Sequence, residues 1–271
     1  MNPVRLGAVD YLNARPLVHG LDRRPDLFAL QFDSPSRCAV LLHGDAIDVG
    51  MIPAIEYCRG PEYRIVPGMA IVSKGPVASV ALFSRGPVSR IRTIAADTSS
   101  RTSVALLRIL CAERFGIEPE LLPMAPDADA MLEACDAALI IGDPALYLDP
   151  LEKRVEKIDL GQEWTTMTGL PFVWAFWAGR PGALSAEALA ALTAARDAGV
   201  AASDEIAASY CGPARTALGQ AYLRDNIQYV MDTPEIAGVL RYFELAAQHG
   251  LIDWPRDLGF YPSTPREARA R

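Results

Sequence analysis

The chain has 271 residues, 51% hydrophobic and 22% charged, a globular composition that sets aside disorder, collagen-like repeats and fibrous structure. Its formal net charge, 26 − 33 = −7, advertises no basic surface for nucleic acid or anionic lipid. Cys38, Cys58, Cys111, Cys135 and Cys211 have no CxxC spacing, so they suggest neither a disulfide framework nor a zinc module.

The N-terminal MNPVRLGAVDYLNARPL carries Arg5 and Asp10 and has no long apolar core before a small-residue cleavage site, so it does not read as a secretory signal. No stretch approaches the roughly 20 apolar residues of a membrane helix. The expectation is a soluble cytoplasmic protein.

In chain order, Val4–Val9 reads as a buried strand, and a helix begins near Pro16. A strand follows at Leu27–Phe32. Ser34-Pro35-Ser36 opens a helix that Gly44 closes, and Ile47–Met51 is the next strand. The same grammar then repeats. Thr93–Ala96 is a strand, Thr102–Phe115 a helix stopped by Gly116, and Glu118–Leu122 a short strand. Asp127–Ala134 is a helix and Ala137–Ile141 a strand. Two β-α-β-α-β halves imply parallel sheets covered on both faces. The apolar segments Val77–Phe83 and Phe172–Trp177 are suited to crossing between lobes. The last third is helical, with Leu184–Ala198 and Pro234–His249 expected to pack on the first lobe, and the charged tail Ser263–Arg271 reads as frayed. The expected division is a discontinuous first lobe, residues 1–84 plus 178–271, and a second lobe, residues 85–177.

Ligands of open parallel sheets bind beyond the carboxyl ends of the strands. Four loops occupy such positions: Asp10–Arg15, Met51–Glu56, Asp97–Ser103 and Gly142–Pro144. The run Asp97-Thr98-Ser99-Ser100-Arg101-Thr102-Ser103 puts hydroxyls, backbone N–H groups and a guanidinium at a helix start, which suits a carboxylate. A plain Ser/Thr cap is the alternative. Asn13, at the first strand-to-helix junction, reads either as a turn residue or as an amide that donates and accepts. Asp143 before Pro144 reads either as a helix cap or as a carboxylate facing the cleft. Met51-Ile52-Pro53 and Ser73-Lys74-Gly75-Pro76 are turns that can present backbone groups. Arg15, Lys74, Arg85 and Arg101 lie in or beside these segments, although each also reads as solvated surface. His19, His43 and His249 have no metal spacing, and no nucleotide loop or GxSxG elbow is present. Trp164, Trp174 and Trp177 read as core.

The blocks YLNARPL (Tyr11–Leu17), DVGMIPAIEY (Asp48–Tyr57), SKGPVASVALFSR (Ser73–Arg85), SSRTSVALLRIL (Ser99–Leu110), LIIGDPAL (Leu139–Leu146) and TGLPFVWAFW (Thr168–Trp177) resemble, in order and spacing, the MqnA-type chorismate dehydratases of the futalosine route to menaquinone. The resemblance implies an α/β fold of the type II periplasmic-binding-protein kind: two lobes with mixed, mainly parallel sheets and a ligand cleft between them. It also implies a hydro-lyase that converts chorismate to 3-[(1-carboxyvinyl)oxy]benzoate and water. Aromatisation drives that reaction, so no cofactor or metal is expected. The partner is the small molecule chorismate, with monomer or homodimer left open. Dihydroxynaphthoate synthase of the same pathway and a non-catalytic binder of an aromatic carboxylate are the alternatives.

Under that reading Asn13 and Asp143 are the catalytic candidates, Asn13 holding the ring hydroxyl or enolpyruvyl group. Met51, Ile52, Ser73, Ser84, Thr98, Ser99, Ser100, Arg101, Thr102 and Gly142 are the substrate-contact candidates. The Ser99–Ser103 helix start, with Arg101, is assigned to one carboxylate. Three groups remain open as base: Asp143, Glu56 and the substrate's own side-chain carboxylate.

Overall fold

Strands form where the sequence is apolar enough to be covered on both faces. β1 (Val4–Val9), β2 (Phe28–Asp33), β3 (Val49–Pro53), β4 (Arg64–Ile65) and β5 (Ile71–Ser73) precede β6 (Val80–Ser84), β7 (Thr93–Asp97), β8 (Glu120–Met124), β9 (Ala137–Ile141), β10 (Glu156–Asp159) and β11 (Phe172–Gly179). β3, β6, β9 and β11 are buried at every residue, whereas the edge strands β2, β8 and β10 are partly exposed. That contrast is what central and edge positions demand. The computed structural model describes residues 2–253 and 256–262, so the tail Ser263–Arg271 lies outside the described residues.

Two mixed sheets result, β2-β1-β3-β11-β4 with β5 also paired to β11, and β10-β6-β9-β7-β8. Each contains one reversed strand. β11 runs antiparallel to β3, β4 and β5, and β6 runs antiparallel to β9 and β10. The reversal follows from where the chain crosses. β5 ends at Ser73, which pairs with Phe172 at the start of β11. β6 begins at Val80, paired with Ile141 at the carboxyl end of β9. Both crossings therefore join ligand-binding ends, and a strand that starts there must run backwards. The crossings are residues 74–79 and 169–171, shorter than the expected Val77–Phe83 and Phe172–Trp177, most of which lie within β6 and β11. A boundary at residue 84 separates β6 from the sheet it joins, and one at residue 177 does the same for β11.

The helices are α1 (Pro35–His43), α2 (Glu56–Arg59), α3 (Thr102–Leu110), α4 (Ala128–Ala134), α5 (Gly142–Tyr147), α6 (Pro150–Lys153), α7 (Leu160–Thr168), α8 (Ala186–Ala201), α9 (Ser203–Cys211), α10 (Thr216–Asp225) and α11 (Thr233–Gln248). The expected helix near Pro16 is a 3-10 segment, Leu12–Val18, because proline cannot supply the N–H an α-helix needs there. Residues Cys111–Phe115 continue α3 as a π-turn that ends at Gly116, φ +64°. Side chains of Ser34, Asp127, Asp159 and Ser185 cap α1, α4, α7 and α8, whereas no side chain caps α3.

The C-terminal helices do not all stay on the first lobe. α8 packs on the Leu12–Val18 segment, but α11 lies against both β11 and α3. At Gly238 of α11 an added Cβ would stand 2.2 Å from the carbonyl oxygen of Pro171, in the second crossing. Gly238→Ala is therefore expected to destabilise the protein by about 1–3 kcal/mol in urea denaturation. Gly86→Ala is the control, since nothing lies within 4 Å of a Cβ there, and it should stay within about 0.5 kcal/mol of wild type.

Candidate active site

Between the sheets lies a partly open cavity, with about 510 Å³ of empty space when the adjoining open solvent is included. Its walls are mainly apolar: Val9, Pro35, Pro53, Ile71, Val77, Val80, Ile141, Trp174 and Ala175. Tyr11, Asn13, Ser100, Thr102, Ser103 and Gly142 supply the polar atoms. Three of the four expected loops thus meet here through these residues, and the Met51–Glu56 loop contributes Pro53. No carboxylate, imidazole, ammonium or guanidinium is among the described lining residues.

Several expected contacts lie elsewhere. Met51 and Ile52 are fully buried within β3, between β1 and β11, and do not line the cavity. Ser73 is buried behind the wall, where its hydroxyl accepts from Trp174 Nε1 at 3.0 Å. Thr98 is exposed. Ser84 is at the wrong end of its strand: it pairs with Ala137 at the start of β9, and its hydroxyl donates to the Gly86 carbonyl at 2.6 Å. The reversal of β6 puts Ser84 and Arg85 away from the cavity. Arg15 pairs with Asp10 and lies over the Phe32 and Tyr210 rings. Lys74 is exposed on the first crossing. Trp174, read as core alongside Trp164 and Trp177, is buried in the core and also forms part of the cavity wall.

Arg101 also turns away from the cavity. Its guanidinium meets Glu56 of α2 at 2.6 Å, and Glu56, 1% exposed, is also bonded to His43 at 3.0 Å and Arg59 at 3.0 Å. His43 in turn contacts the Tyr63 hydroxyl at 2.8 Å. Burial alone would raise the Glu56 carboxyl, but the His43 hydrogen bond and the two guanidinium charges outweigh it and bring it down to about 2. Glu56 is thus a fixed anion rather than a base. Further contacts pin the same turn: Ile55 N–H donates to Thr102 Oγ1 at 3.2 Å, the Tyr242 hydroxyl donates to the Thr102 carbonyl at 3.1 Å, and Ser36 N–H donates to the Ser99 carbonyl at 3.1 Å. With no capping side chain, the first-turn N–H groups of α3 keep the partial positive charge of a helix start.

Opposite stands Asn13. Its Nδ2 donates to the Tyr222 hydroxyl at 3.0 Å, and that hydroxyl pairs with Ser79 Oγ at 2.6 Å, while Asn13 Oδ1 is buried without a protein partner. The amide is therefore oriented, with its acceptor unused. Asp143 Oδ1 accepts from Leu12 N–H at 3.1 Å and Oδ2 from the Tyr210 hydroxyl at 2.5 Å. Burial raises its carboxyl, although both hydrogen bonds oppose the shift. It neither lines the cavity nor caps α5. Composition and spacing do not single out Tyr11, whose phenol is pushed up by burial and stays a neutral donor at neutral pH. Asp97 is likewise unassigned by the sequence. It is 1% exposed, and its Oδ1 accepts from both the N–H and the hydroxyl of Ser99, at 2.8 and 2.6 Å, which holds Ser99 in place beneath the loop.

Residues 4–248 match the family described as menaquinone biosynthesis. The chain belongs to that family. A chorismate dehydratase of Thermus thermophilus is 30% identical over 196 residues, 66% of this chain and 71% of the relative. An Archaeoglobus fulgidus protein of known structure superposes with a TM-score of 0.77 at 19% identity, covering 93% of this chain and 99% of that one. The periplasmic aliphatic sulphonate binding protein SsuA from Escherichia coli superposes at 0.62 with 17% identity, covering 95% of each chain. The fold is that of the periplasmic binding proteins. Among the described residues no helix is long and apolar enough to cross a membrane.

The Glu56 cluster has a consequence for stability. Its folded carboxyl sits near 2, below the ordinary 4.5, so its stabilisation is complete above about pH 4.5 and disappears as pH falls towards 2. Glu56→Gln is expected to lose about 2–3 kcal/mol at pH 7 and to flatten the acid limb of stability over that window. Urea denaturation across pH checks both; an acid limb unchanged in the variant contradicts the assignment.

Proposed function

We propose that this chain is a chorismate dehydratase, converting chorismate to 3-[(1-carboxyvinyl)oxy]benzoate and water. The observation that carries the reading is the pairing across one apolar cavity of the uncapped α3 start with the unpartnered amide oxygen of Asn13. The apolar walls suit a flat six-membered ring. The helix start, with the hydroxyls of Ser100, Thr102 and Ser103, suits a ring carboxylate. Asn13 Oδ1 suits a substrate hydroxyl. Menaquinone-family membership and the Thermus thermophilus relative support the same reaction. The futalosine route and a cytoplasmic site of action belong to this proposal, since the reaction draws on an intermediate of aromatic biosynthesis.

The chemistry requires a proton to leave the ring carbon that bears the enolpyruvyl ether. Its C–H electron pair becomes the new ring double bond, the neighbouring C–O bond breaks, and the departing hydroxide takes up a proton to become water. Negative charge that develops on the ring delocalises into the ring carboxylate, where helix-start donors stabilise it. Of the three groups considered as base, Glu56 is held as an anion outside the cavity, and Asp143 is engaged by Leu12 and Tyr210. The enolpyruvyl carboxylate of the substrate is the remaining one. It lies close to the reacting C–H by covalent connection, and the protein's part is to hold the ring and that side chain in one geometry.

Incubation with chorismate, followed by ultraviolet absorbance and product identification, tests the reading. Conversion to the benzoate product is expected, and binding without conversion would make the chain a binding module instead. Asn13→Ala should lower kcat by about a hundredfold, and wild-type turnover in that variant would remove the role given to Asn13. Because no described cation lines the cavity, raising salt from about 0.05 to 0.3 M should change KM by less than about threefold.

A further inference from the structure

We infer that Asp143 is a positioning residue: with Tyr210 it latches the two lobes and thereby holds the Asn13 turn in its working position. The inference rests on the dehydratase reading for its kinetic consequence, but the latch itself is visible in geometry alone. Asp143 follows β9 in the second sheet, whereas both of its donors belong to the other side of the cavity. Leu12 lies in the turn after β1 and Tyr210 in α9, 131 and 67 residues away in sequence. The carboxylate uses one oxygen for each donor.

The approach of the chain at this point is close. Gly142 has φ +65°, and a Cβ there would stand 2.7 Å from the Tyr11 ring. Gly142 N–H donates to the Ser79 carbonyl at 2.7 Å, and Ser79 Oγ is the partner of the Tyr222 hydroxyl that receives Asn13 Nδ2. Asn13 is therefore held from three directions: its side chain through Tyr222 and Ser79, its own carbonyl by the Tyr229 hydroxyl at 2.9 Å, and the neighbouring backbone through the Leu12 N–H on Asp143. The first two holds come from the first lobe and its crossing, so without the Asp143 contact the turn keeps its fold but loses its direct tie to the Gly142 side of the cavity. A displacement of about 1 Å at a positioning group can cost about a hundredfold in rate.

The experiment compares Asp143→Ala, Asp143→Asn and Tyr210→Phe in the full chain by two readouts. The first is hydrogen–deuterium exchange at the Leu12 amide without substrate, with the β7 amides as internal reference. Asp143→Ala should exchange Leu12 at least about tenfold faster with β7 unchanged. The second is steady-state kinetics on chorismate. Asp143→Ala should lower kcat by about tenfold or more with KM changed less. Asp143→Asn should recover most of kcat, because an amide oxygen still accepts from Leu12 and the amide N–H can donate to the Tyr210 oxygen. Tyr210→Phe removes one donor and leaves the backbone intact; it should fall between wild type and Asp143→Ala on both readouts, and it carries the test if Asp143→Ala does not fold. Unchanged exchange at Leu12 in these variants overturns the latch. Asp143→Asn as inactive as Asp143→Ala, with wild-type exchange, also overturns it, since the carboxylate would then be handling a proton itself. A wild-type chain inert toward chorismate would remove the dehydratase reading, while the substrate-free exchange arm still decides the latch.

Discussion

The site depends on the pair between half-buried Arg101 and buried Glu56. A helix start left without a capping side chain is unstable unless something else fixes it. Here the fixing is done from the other lobe, by Glu56, by Ile55 N–H on Thr102 and by Tyr242 on the Thr102 carbonyl. The turn is rigid, yet its own N–H groups remain available to a ligand. Had Arg101 faced the cavity, the site would hold a full positive charge. Because it does not, a bound carboxylate is met by dipoles and hydroxyls alone. That arrangement is consistent with a chain of net charge −7, whose overall field does nothing to gather anions.

The same economy appears in the walls. Tyr11, Asn13, Ser100, Thr102 and Ser103 are the side chains that offer polar atoms to an otherwise apolar space, and none of them is charged at neutral pH. Among the described residues, the lining offers no imidazole or carboxylate. It can select one conformation of a ring and stabilise charge that spreads into a carboxylate, which suits an elimination driven by aromatisation.

Much of this was legible in the sequence because it depends on local pattern. β1, β9 and the β7–α3 junction follow from apolar runs and from Gly116, and all four expected loops contribute to the cavity lining, Met51–Glu56 through Pro53 alone. What was not legible depends on direction or on distance. A fully buried strand such as β6 reads the same forwards and backwards, so nothing local indicated that Ser84 would lie at its far end. Arg101 at a helix start reads equally as an anion donor or as the partner of a carboxylate 45 residues earlier. Asp143 before a proline has the local signature of a cap, and only the tertiary structure reveals that its acceptors serve Leu12 and Tyr210. Trp174 is the core residue its apolar neighbours suggest, and only its place at the cavity end of β11 makes it wall as well.

A crystal structure of the chain with 3-[(1-carboxyvinyl)oxy]benzoate would test the central claim most directly. The account requires the ring between Trp174 and the apolar wall, its carboxylate on the first-turn amides of α3, and Arg101 still on Glu56. Product bound outside this cavity, or inside it with its carboxylate on a guanidinium released from Glu56, would contradict the account.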